Sequence, residues 1–111
     1  MASGFLGKSA PSANTWTLLY TVPSTKVASI SINAVNSGAT LATIDIAAST
    51  SNASVGAGIV ASEYLDFSTI LSNVGSAYER TGLVLDATNA PYLWVRSSTA
   101  NVSFQAYGYE E

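Results

Sequence analysis

Small apolar and polar residues alternate along much of the chain. Within residues 27–35, Ala28, Ile30, Ile32 and Ala34 fall on one side and Ser29, Ser31 and Asn33 on the other, which is the period of a half-buried β-strand. Residues 41–48 repeat the pattern, with Ala42, Ile44, Ile46 and Ala48 against Thr43 and Asp45. Asn36-Ser37-Gly38-Ala39 supplies turn residues between them, so the two segments are expected to form a hairpin. Residues 16–22 are aromatic and β-branched and stop at Pro23-Ser24, where proline removes a backbone donor. Further strands are expected over residues 78–85, 92–96 and 101–109. Residues 59–70, which also suit a short helical turn, are assigned as strand. Turns are expected at Asn73-Val74-Gly75-Ser76 and at 86–91, and residues 48–58, rich in Gly, Ser and Asn, form a long surface loop.

About seven or eight short strands without a helical apolar stripe predict an all-β, single-domain antiparallel β-sandwich. Jelly-roll and immunoglobulin-like topologies both fit, because every strand offers the same period of two. Residues 1–15 have neither period and are expected to be an extended N-terminal arm, with 16–111 as the β-sandwich domain. Phe5 and Leu6 are the arm's only sizeable apolar groups. They are candidates either for a frayed terminus or for docking into a neighbouring subunit.

Composition narrows the function. Only 10% of the 111 residues are charged, against roughly 25% in ordinary soluble domains. A surface with so little repulsion is expected to be covered by copies of the chain or by neighbours. Lys8, Lys26, Arg80 and Arg96 are the only cations and the net charge is −3, so no basic stripe faces nucleic acid. No run reaches the ~18 apolar residues of a membrane span, and the first residues lack the basic-then-apolar order of a signal peptide. A product made in a cytoplasm, with neither nucleic-acid nor membrane partner, is the expectation. The sequons at Asn52 and Asn101 carry little weight in so Ser- and Asn-rich a chain.

The chain has no His and no Cys, which removes the commonest general base, the commonest metal ligand and thiolate chemistry. The main acidic group is Glu63, Asp66 and Glu79, with Asp45 and Asp86 elsewhere. A glycosidase needs two carboxylates at a set separation, but a chain of this size carries that many carboxylates anyway. Adjacent residues Glu79 and Arg80 point to opposite faces of a strand. Asp45 and Asp66 are too isolated for a calcium loop, and no serine lies in a Gly-x-Ser-x-Gly setting. No catalytic residue, metal or cofactor is assigned. Tyr92, Trp94 and Arg96 share one face of their strand and Leu93 and Val95 the other. If Leu93 and Val95 face the core, the first three form an exposed patch in which the guanidinium stacks on a ring, serving as a subunit interface or a sugar platform.

Four segments in order add a family expectation: Leu19-Tyr20-Thr21-Val22-Pro23, then Ile30-Ser31-Ile32-Asn33 with Asn36-Ser37-Gly38, then Glu79-Arg80-Thr81-Gly82, and the ending Ala106-Tyr107-Gly108-Tyr109-Glu110-Glu111. In this order they resemble small virion structural proteins of tailed bacteriophages. The resemblance spans most of the chain and implies a β-sandwich module, a turn at Glu79–Gly82 and no catalytic residues. It implies a capsid decoration or cement protein, located in the virion, that binds the major capsid protein and itself as a homo-oligomer; a trimer is the expectation because the exposed strand edges of a sandwich need covering. The alternative role is a tail, baseplate or fibre accessory protein, including a module that binds host-surface glycans. Phe5, Leu6, Tyr92, Trp94 and Arg96 are the expected assembly interface.

Overall fold

The computed structural model describes residues 3–50, 61–72 and 75–111. The chain is all-β. Its strands are β1 (Ser3–Ser9), β2 (Thr17–Thr21), β3 (Val27–Asn36), β4 (Ala42–Ser49), β5 (Tyr64–Leu71), β6 (Ala77–Asp86), β7 (Tyr92–Ser97) and β8 (Val102–Glu110), with one 3-10 turn at Ala61–Glu63. Where the sequence predicts a strand over 59–70, residues 61–71 hold both a helical turn and a strand, and residues 59–60 lie outside the described residues. The Asn52 sequon, residues 51–58 of the expected surface loop and residues 73–74 of the expected turn lie outside the described residues.

Two four-stranded sheets are formed, in the order β1-β8-β3-β6 and β2-β7-β4-β5. The antiparallel pairs β1–β8, β2–β7, β3–β6 and β4–β5 nest inside one another like one long hairpin. Rolling that hairpin adds the β3–β8 and β4–β7 pairs. This is the jelly-roll topology, and it excludes the immunoglobulin-like order, in which one sheet reads ABED.

The topology corrects the expected hairpin. β3 and β4 lie in different sheets, so the chain between them arches from one layer to the other. The physical cause is Asn36, whose buried amide donates to the carbonyls of Thr40 and Leu71 at 2.9 and 3.1 Å and accepts from the Gly38 amide. Those bonds satisfy an inter-sheet arch, whereas a tight hairpin would need a two-residue loop. Alternation looks identical in both arrangements.

The first residues also differ from expectation. Ser3–Ser9 is strand β1, hydrogen-bonded along β8, so the segment treated as an arm separate from the sandwich is its edge strand. Leu6 sits in a bulge and packs against the core, while Phe5 turns outward. β8 satisfies the backbone donors and acceptors that a frayed terminus would leave to water.

Ala28, Ile30, Ile32, Ala34, Ala42, Ile44 and Ile46 face inward as their alternation requires, and meet Leu93, Val95, Val102, Phe104 and Ala106 in the inter-sheet core. Among the described residues every register shift falls on an edge strand: at Leu6 in β1, at Leu19 in β2, at Thr81-Gly82 in β6 and twice in β5. The inner pairs β3–β8 and β4–β7 run without interruption. Glu79-Arg80-Thr81-Gly82 is therefore no turn but a bulge within β6, where Gly82 adopts φ 77°, a conformation that side-chain-bearing residues seldom take.

Candidate functional site

The outer face of the β2-β7-β4-β5 sheet is built from cross-strand rungs. One rung reads Leu18, Trp94, Ala47, Tyr64 and the next pairs Arg96 with Asp45. Trp16, immediately before β2, packs with Trp94 and Ala47, and Tyr64 and Tyr92 close around them. This second apolar cluster is possible because Ala47 is small enough to leave room for both indoles above it. Arg96 stacks over Trp16, its guanidinium carbon 4.4 Å from the ring centroid, a cation–π arrangement. Its Nε and second nitrogen reach Asp45 Oδ2 at 2.9 and 2.8 Å. The other Asp45 oxygen accepts the Ser68 amide at 2.7 Å, from a residue at φ 53°. Both oxygens of this nearly buried carboxylate are thereby satisfied.

The expected Tyr92, Trp94 and Arg96 patch is accordingly corrected. Leu93 and Val95 do face the core, yet Trp94 is only 3% exposed, because Trp16 folds across it. Arg96 does stack on a ring, and the ring is Trp16. Of the five expected interface residues, Tyr92, Trp94 and Arg96 share this face, Phe5 lies on the opposite outer face, and Leu6 is turned into the core. No single surface unites them.

Other apolar groups are the exposed ones. On the β2-β7-β4-β5 face Phe67 is 63% and Ile70 60% exposed, both on the edge strand β5, and Leu18 is open on the opposite edge strand β2. Phe67 meets Tyr64 edge-on at 4.9 Å with planes 72° apart, and Tyr64 meets Trp16 at 5.9 Å and 40°. On the β1-β8-β3-β6 face Phe5 is 74% and Val84 67% exposed, with Val27 and Tyr109 also open. Val84 was legible, since it alternates with Leu83 and Leu85. Phe67 and Ile70 were not, because the bulge at Ser68 breaks the alternation of β5.

The carboxylates hold the layers together. Arg80 Nε and the Tyr78 hydroxyl, both from β6, donate to Asp66 in β5, the former at 2.7 Å, and Arg80 also donates to the Leu65 carbonyl at 2.7 Å. The bond to Asp66 raises the pKa of both Tyr78 and Arg80. Tyr20 in β2 donates to Glu110 in β8, and burial, reinforced by that carboxylate, pushes its hydroxyl well above the ordinary tyrosine range. Tyr107 donates to Glu79 across the outer face, again with a raised pKa. Glu79 and Arg80 thus serve opposite faces, as adjacent strand residues must. No group of three or more His, Cys, Asp or Glu gathers in metal-binding fashion among the described residues, and no described helix is long and apolar enough to cross a membrane.

No family model, curated protein or solved structure matches this chain.

Proposed function

We propose that the chain is a structural protein of a tailed-phage virion, a decoration or cement protein that spreads over the head and stabilises it by binding. The observation that carries this reading is the pair of apolar outer faces, with Phe5 and Val84 open on one and Phe67 and Ile70 on the other. Covering each such side chain releases on the order of 1 to 2 kcal/mol. A module with two apolar faces can therefore bind a shell with one and a neighbour with the other. The order of the Leu19–Pro23, Ile30–Gly38, Glu79–Gly82 and C-terminal segments supports the family, and the jelly roll, a topology recurrent in viral capsid and lectin domains, supports it by analogy of fold.

A host-glycan module on a tail or fibre is the second reading, and the aromatic string Trp16, Tyr64, Phe67 is what favours it. The rings are inclined by 40° and 72° rather than coplanar, which suits protein contact better than a flat sugar platform. The test uses phage particles lacking the chain, to which gold-tagged purified protein is returned. Binding over the head, with a rise in the temperature at which particles release their genome, is expected. Gold confined to the tail would transfer the reading to the accessory role. Failure to bind, together with absence of the chain from wild-type particles by mass spectrometry, would remove both.

A further inference from the structure

The outer face of the β1-β8-β3-β6 sheet is lopsided in size and in charge. Its rungs read Tyr109, Ser29, Val84, then Phe5, Tyr107, Ser31 with the Thr81-Gly82 bulge, then Lys8, Gln105, Asn33, Glu79. The β1/β8 half carries the bulky rings and a cation. The β3/β6 half carries serines, a glycine and an anion, with Val27 and Val84 as its exposed aliphatic groups and no ring. Among the described residues Lys8 has no ion pair, while Glu79 is held on the face by Tyr107.

A two-fold axis lying in this face and running along the strands exchanges the two halves. It lays β1 of one copy over β6 of another and β8 over β3. Phe5 then meets the Thr81-Gly82 bulge, Tyr109 meets Ser29, and Lys8 meets Glu79, each contact occurring twice. We infer that this face pairs with the same face of a second copy in an isologous dimer, in which Phe5 fills the space left by Gly82 and Lys8 pairs with Glu79.

An in-plane axis perpendicular to the strands brings no cation onto Glu79. The opposite sheet is the poorer choice, because its Arg96 and Asp45 already neutralise each other within one chain. Association through edges is disfavoured as well, since a bulge on every edge strand twists it away from strand addition. A face four strands wide and about seven residues long spans roughly 20 by 23 Å. That is the low end of specific interfaces, so the dimer is weak in solution and gains from high local concentration.

The inference stands on the sheet geometry and goes beyond the virion reading. Sedimentation equilibrium of the purified chain is expected to show monomer and dimer exchanging in the micromolar range. Phe5→Ser weakens the dimer about thirtyfold. Lys8→Glu and Glu79→Lys each weaken it, and the double exchange Lys8→Glu with Glu79→Lys restores it, while Phe67→Ser on the other face leaves it unchanged. Melting curves confirm that each variant folds. A monomer at every concentration, a trimer, or a double exchange as weak as its parents overturns the pairing. A monomer that still binds particles sinks the dimer and spares the virion reading. A dimer absent from particles does the reverse.

Discussion

The sandwich is closed along its two long edges by different chemistry. At the β5/β6 edge, Asp66 receives Arg80 and Tyr78 across the gap between sheets. At the β1/β2 edge the backbones themselves meet, since a Cβ on Gly7 would stand 2.2 Å from the Leu19 carbonyl oxygen. One strand further in, Tyr20 and Glu110 add a single polar tie. A charged closure tolerates water and responds to ionisation, whereas a closure by contact leaves no room for adjustment. The first edge should therefore yield in small steps and the second all at once.

Gly7→Val should be the most damaging change, costing about 3 kcal/mol or more because a backbone carbonyl cannot move aside. Its denaturant midpoint should fall by the same amount at neutral and mildly alkaline pH. Asp66→Ala strips two donors of their acceptor. With Arg80 still about one-third exposed, the loss should be about 1 to 2 kcal/mol by urea unfolding. A loss as large as that of Gly7→Val would erase the contrast between the edges.

Tyr20→Phe should cost about 1 kcal/mol at neutral pH and also blunt the response to base, since the group whose stabilisation base removes is gone. Tyr20, Tyr78 and Tyr107 have raised folded-state pKa values, so the native state favours their neutral forms. That stabilisation is complete below the unfolded tyrosine value of about 10 and is lost as pH climbs through the raised folded values. In a spectrophotometric titration, part of the signal from the six tyrosines should be withheld until the chain unfolds, and Tyr20→Phe should shrink that part. If all six ionise together on the folded protein, the polar ties are not closing the sandwich.

The smallest effect concerns neither edge. Asp86 accepts the Asn89 amide at 2.7 Å and the Asn89 side chain at 3.0 Å, and these bonds, the backbone one foremost, lower its pKa. A depressed carboxylate contributes stability above its unfolded value of about 3.9, and that contribution fades as pH falls through the folded value. Asp86→Ala should therefore melt slightly lower than the wild type at neutral pH and converge with it in acid.

The inward set of β3 and β4 was legible because alternation reports directly which side chains avoid water. The strand ends at Pro23 and near Asp86 were legible from turn chemistry. What could not be read were places where a distant strand overrules the local pattern. Asn36 looks like any turn asparagine until Leu71 arrives as its acceptor. Gly82 looks like the end of a turn until β3 runs past it and makes it a bulge. Gly108 looks like a late punctuation mark, yet a Cβ there would lie 1.9 Å from the Ser29 carbonyl oxygen. The interface candidates failed for the same reason: the face of Trp94 was assigned correctly, but only Trp16 decides that the face is covered.

By itself the sequence determined an all-β chain, the inward faces of its central strands, and a sparsely charged surface without the thiol or imidazole groups on which much catalysis depends. Those properties are local: they depend on residue type and on a repeat of two. Tertiary structure alone decided that β3 and β4 part company, that residues 3–9 complete a sheet, that Arg80 and Arg96 find separate aspartates, and which apolar groups remain in water. Each of these depends on contacts between residues far apart in the chain, and a period-two pattern contains no record of which distant strand will lie beside it.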